Sequence, residues 1–123
     1  MRIALRCGLG LLLVMFFGSV CVFHAAQDKP KYTIKEVMGD AMKGGLCKKV
    51  GGGKASKDDK EKLVELFVAL NKNTPPKGEA ASWKEKTEAL LTAAKELAAG
   101  TKGGEAKLQK AANCNACHGA HKQ

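Results

Sequence analysis

The stretch Ser56-Lys57-Asp58-Asp59-Lys60-Glu61-Lys62-Leu63-Val64-Glu65-Leu66-Phe67-Val68-Ala69-Leu70 reads as a helix and sets the class of the fold. Ser56 suits an N-cap, and Asp58, Asp59 and Glu61 stand at the positive end of the helix dipole. Leu63, Leu66, Phe67 and Leu70 then recur on one helical stripe. Toward the N-terminus, Thr33-Ile34-Lys35-Glu36 offers a capping box, and Ile34, Val37, Met38, Ala41, Met42 and Leu46 form a second stripe. That helix is expected to fade at Gly44-Gly45 or end at Gly51-Gly52-Gly53. Toward the C-terminus, Asn71 to Gly78 carries Pro75-Pro76 and must be a loop. Ser82-Trp83-Lys84-Glu85 repeats the capping box and opens a third helix with Leu90, Leu91, Ala94, Leu97 and Ala98, stopped at Gly100. A fourth is expected from about Glu105 to the C-terminus, carrying Leu108, Ala111 and Ala112. No segment after residue 26 alternates as a half-buried strand would, so the expected fold is all-α, an antiparallel four-helix bundle.

The 123 residues suffice for one domain. From residue 27 on, 19 lysines face 12 acids, a net charge of +7. The lysines are spread among carboxylates without an arginine cluster or interleaved aromatics, which argues against nucleic acid and for partners with acidic surfaces. Tyr32, Phe67 and Trp83 are the aromatic residues of this part, so its core is mainly aliphatic.

Residues 1–26 read as an export signal: Arg2 and Arg6 precede an uncharged run from Cys7 to Ala26 centred on Leu11-Leu12-Leu13-Val14-Met15-Phe16-Phe17. Cleavage near Ala26 or after Cys21, lipidation at Cys21, and an uncut anchor of ~20 apolar residues all deliver residues 27–123 outside the cytoplasmic membrane, which implies a periplasmic location. The exported part holds Cys47, Cys114 and Cys117, an odd number that a pure disulfide framework would not use up.

Chemistry concentrates in Cys114-Asn115-Ala116-Cys117-His118, the C-x-x-C-H pattern of covalent haem c attachment. Two thiols three residues apart lie on the same side of a helical turn and can each reach a vinyl group on one porphyrin edge, while the next residue turns an imidazole to the iron. A zinc site of Cys114, Cys117, His118 and His121 would stretch about 10 Å along one helix at ~1.5 Å per residue, too far for bonds of ~2.0–2.3 Å to one ion. A Cys114–Cys117 redox pair would be expected to open a helix in a βαβ setting rather than close an all-helical chain. Cys47 reads as a free, partly buried thiol. His121 is expected to be solvated or hydrogen-bonded near a haem propionate, and Lys110 and Lys122 flank the motif. No carboxylate pair, nucleophile triad or phosphate loop is present, so an enzyme is not expected.

On these residues the chain resembles the class II cytochromes c, the cytochrome c′ group of monohaem four-helix-bundle proteins. That family carries C-x-x-C-H near the end of its last helix, then an aromatic residue and Arg or Lys; here His121 and Lys122 follow. The likeness covers residues ~31–123, but only the C-terminal motif is specific. It implies a bundle completed by one covalent haem c, thioethers at Cys114 and Cys117, and His118 as axial ligand. The first helix then faces the open side of the iron. Met38 matches the sixth-ligand position best and Met42 lies one turn on. A methionine ligand implies a low-spin carrier of single electrons between periplasmic or membrane redox proteins. Without one, the resemblance implies a five-coordinate haem that binds NO or CO. It further implies that the bundle can form a homodimer.

Overall fold

The computed structural model describes residues 29–122. The expected export signal at 1–26 lies outside the described residues. Among the described residues the regular elements are all helical, and no helix is long and apolar enough to cross a membrane.

Helix α1 spans Ile34–Val37 and starts at the expected capping box: Thr33 Oγ1 accepts from the Glu36 amide at 3.3 Å while the Glu36 carboxylate accepts from the Thr33 amide at 2.7 Å. The Thr33 amide, then the Thr33 hydroxyl, donate to the Glu36 carboxyl and hold it below its ordinary range. The chain then widens into a π-helical turn over Met38–Lys43, closed by a bond from the Gly44 amide to the Gly39 carbonyl at 2.7 Å. Gly45, at φ 77°, breaks the helix before α2, Leu46–Gly51. The first expected helix is therefore three consecutive pieces, because the i→i+5 turn and a left-handed glycine each interrupt the α pattern.

Helix α3 runs over Lys57–Lys72 from a capping box of Ser56 and Asp59. Lys49 of α2 pairs with Asp59 at 2.6 Å and so ties α2 to the start of α3. Helix α4 spans Ala80–Ala98 and begins two residues ahead of the expected cap. Ser82 lies inside its first turn, and the hydroxyl meets His121 Nε2 at 3.2 Å instead of capping. Helix α5 covers Gly104–Ala111 and α6 covers Cys114–His121. The single C-terminal helix expected from Glu105 is thus broken at Ala112-Asn113, because the Asn113 side chain accepts from the Ala116 amide at 3.1 Å and starts a new helix there.

Helices α3 and α4 form the most extensive contact; α1 and α2 pack on α3, the π-turn on α1 and α2, α5 on α4 and α2, and α6 on α4. The core is the expected aliphatic one. Leu63, Leu66, Phe67 and Leu70 of α3 meet Trp83, Leu90, Ala94 and Leu97 of α4, with Val37, Ala41, Val50 and Leu108 closing the sides. Thr87 is buried among them with its polar needs met: Oγ1 donates to the Trp83 carbonyl at 2.9 Å and accepts from Asn71 Nδ2 at 2.9 Å.

The α3–α4 loop ties the two ends of the fold together. Asn73 Nδ2 donates to the Tyr32 carbonyl at 2.8 Å, and the Asn73 carbonyl accepts from Trp83 Nε1 at 2.8 Å. Five residues on, Gly78 adopts φ 84° and lies so close to α6 that a Cβ would stand 2.8 Å from His121 Nδ1. Both the backbone sign and the approach exclude a larger residue there.

Candidate functional site

The break at Ala112-Asn113 presents the Cys114–His118 motif as the opening of a short helix rather than the tail of a long one. Cys114, the first residue of α6, is exposed, with Sγ 3.7 Å from the Ala112 carbonyl. Cys117, one turn on, is half-buried against the core. Burial pushes its thiol up, with Lys86 opposing. His118 is exposed.

His121 is placed differently from expectation. It is 2% exposed, its Nδ1 lies 3.0 Å from the Lys77 carbonyl and its Nε2 3.2 Å from Ser82 Oγ, and its ring meets the Trp83 edge at a centroid distance of 5.4 Å. A carbonyl accepts only, so Nδ1 carries a proton and donates to Lys77. The side chain is neither solvated nor free for a cofactor. It clamps the end of α6 onto the first turn of α4. The signal was in the spacing, because His121 follows Cys117 by four residues and so shares its core-facing side of α6.

Two open grooves of similar size flank α5. The first, about 840 Å³, is lined among others by Met42, Cys47, Lys48, Leu108, Ala112 and Cys114. The second, about 830 Å³, is lined among others by Lys86, Ala89, Ala93, Lys110, Ala111 and Cys117. The two thiols of the motif therefore open onto different grooves. Cys47, expected as a partly buried free thiol, is buried on α2 and free among the described residues. Burial, then the nearby Cys114, pushes its thiol up to about 11.

Met38 and Met42 are both half-buried against the core, at the start and near the end of the π-turn. Met42 lines the groove that Cys114 enters, and Met38 does not appear in that lining. A Cβ on Gly39 would meet nothing within 4 Å, so open space adjoins this turn.

Cys114, Cys117 and His118 are the donor types that covalent haem attachment uses, but the two thiols open onto separate grooves and His118 lines neither. Both thiols are free, the imidazole next to Cys117 is exposed, and the groove at Cys114 falls within the ~300–1,000 Å³ typical of ligand pockets. For zinc the described residues offer no group of three His, Cys, Asp or Glu side chains able to hold an ion. The redox-pair reading gains one point, since the motif does open a helix with Cys114 exposed and Cys117 half-buried, yet its setting among the described residues is helical rather than βαβ. No protein-family model matches the chain, and no match was found among curated proteins or solved structures.

Proposed function

We propose that this chain is a c-type monohaem cytochrome that carries single electrons in the cell envelope. The observation that supports it is the motif itself: free thiols at Cys114 and Cys117 and an exposed imidazole at His118 share one short helix beside an open groove. In this reading α3 and α4 are the central pair of a four-helix bundle whose outer two helices are the interrupted ones. When bound, the haem supplies reversible Fe(III)/Fe(II) exchange. The protein's part is to fix the macrocycle at Cys114 and Cys117, to hold the iron through His118 and a methionine, and to keep the support of α6 rigid through His121. Lysines around the grooves, Lys48 and Lys54 at one and Lys110 at the other, suit the haem carboxylates and an acidic partner surface.

The test is direct. The full chain is expressed with a c-type maturation system, denatured, and stained on the gel for haem peroxidase activity. A stained band that disappears in the Cys114→Ala, Cys117→Ala double variant is the expected result, and a well-matured preparation without stain refutes the proposal.

A further inference from the structure

We propose that Cys47 and Cys114 close a disulfide across the groove that both of them line, an oxidised form of the haem-free chain in which neither thiol is open to another partner. The proposal goes beyond the cytochrome reading and does not depend on it; where that reading also holds, this bond and a thioether at Cys114 exclude each other.

The packing of α2 on α5 brings the two thiols to one place. Gly51 carries no side chain, and a Cβ there would stand 3.6 Å from Gln109 and 3.8 Å from Leu108. The Gly51 carbonyl accepts from Gln109 Nε2 at 2.9 Å and fixes the contact. Cys47 lies one turn back from Gly51 on α2, Ala112 lies one turn on from Leu108, and all four line the first groove. Cys114 follows two residues later, with its Sγ folded back to 3.7 Å from the Ala112 carbonyl. After burial, the nearness of Cys114 is what pushes the Cys47 thiol up. Cys117 opens on the other groove, so Cys114 shares its surroundings with Cys47 and not with its neighbour in the motif.

Helix α6 is held at its far end, where His121 is buried against α4, whereas Cys114, Asn115 and Ala116 of its first turn are exposed. A disulfide requires Cα atoms about 4.4–6.8 Å apart. This exposed turn, joined to α5 at the Ala112-Asn113 break, is the part that settles into the groove to form it.

The oxidant is a solvent-borne disulfide, with oxidised glutathione as the probe. Exposed Cys114 attacks it as the thiolate, forms a mixed disulfide and releases one glutathione thiolate. Cys47, buried and with its thiol pushed up to about 11, reacts second and displaces the remaining glutathione from Cys114. The two S–H protons and two electrons pass to glutathione, whose S–S bond breaks as the protein's forms.

The full chain carrying Cys7→Ser and Cys21→Ser is prepared without haem, reduced, freed of reductant and exposed to oxidised glutathione. Remaining thiols are alkylated, and the monomer band of a non-reducing gel is digested with trypsin, which puts Cys47 in peptide 44–48 and both motif cysteines in peptide 111–122. The expected product is these two peptides joined by one disulfide, with fragmentation placing the alkyl group on Cys117. Adding Cys117→Ser should preserve the link, and adding Cys114→Ser should leave Cys47 unlinked. A Cys114–Cys117 bond with Cys47 alkylated, a bond from Cys47 to Cys117, a link confined to the dimer band, or no link at all overturns the proposal. Haem staining of the matured chain is scored separately, so the cytochrome reading can fail while this bond stands.

Discussion

Replacing His121 by alanine removes the clamp that holds α6, and the structure sets the size of the loss. Two hydrogen bonds disappear, to the Lys77 carbonyl and the Ser82 hydroxyl, each worth about 0.5–1.5 kcal/mol. The edge-on contact with Trp83 goes as well, worth about 0.5–1.5 kcal/mol beyond the buried area. The sum is about 1.5–4.5 kcal/mol. For a domain of this size each kcal/mol moves the melting midpoint by about 4–8 °C, so a loss near ~3 kcal/mol lowers it by about 12–24 °C. Thermal and urea melts of parent and variant, both in the same state of haem loading, measure the change. Ser82→Ala removes one of the two bonds and should cost about 1 kcal/mol, and the double variant should cost less than the sum of the singles because the residues share that bond. A His121→Ala midpoint within about 3 °C of the parent, or strict additivity with Ser82→Ala, refutes the clamp.

The other expectations follow from single contacts. Gly78→Ala should lower the midpoint, because a side chain is strained at φ 84° and crowds His121; an unchanged melt would show that the loop does not hold this approach. Lys49, then Ser56, hold the Asp59 carboxyl down at about 2 against an ordinary 3.8. A depressed carboxyl stabilises above its unfolded value and loses that stabilisation as pH falls through its folded one. The stability gap between parent and Asp59→Asn should therefore be open at pH 7 and close as pH drops toward about 2; a gap independent of pH would contradict the pairing. In haem-free protein, iodoacetamide at pH 8 should label exposed Cys114 before Cys47, whose thiol is buried and pushed up to about 11; peptide mapping with Cys47 labelled first would overturn this order. Electron transfer to an acidic partner should slow as salt screens charges beyond ~10 Å at 0.1 M, and a rate indifferent to ionic strength would rule out steering by the lysine surface.

The helix starts at Thr33 and Ser56 were legible because a capping box is a local exchange of hydrogen bonds between residues three apart. The same pattern at Ser82-Trp83-Lys84-Glu85 misled. The loop could begin its helix earlier, at Ala80, and the Ser82 hydroxyl found a buried partner 39 residues away in sequence. Periodicity gave the α3 stripe, whose Leu63, Leu66, Phe67 and Leu70 are all buried, but in α4 it gave Leu90, Ala94 and Leu97 together with Ala98, which is exposed, and left out the buried Trp83, Thr87 and Ala93. The break at Ala112-Asn113 was less visible: neither residue is a strong breaker, and an asparagine within a helical run caps only if the chain turns there. The C-x-x-C-H motif was plain in the sequence. That its thiols open onto separate grooves depends on how α5 and α6 join, a tertiary property that spacing alone does not carry.

The α3–α4 loop has a consequence for how the molecule opens. Loops commonly exchange their amides quickly and independently of the elements they join. This one binds the Tyr32 carbonyl through Asn73, the Trp83 indole through the Asn73 carbonyl, and the His121 ring through Lys77. An excursion that lifts residues 73–78 would release the start of α1 and the end of α6 in one event. Amides at the two extremes of the described chain should therefore exchange with a common opening free energy. Denaturant should lower their protection in parallel, as a single cooperative unit assembled from segments some ninety residues apart.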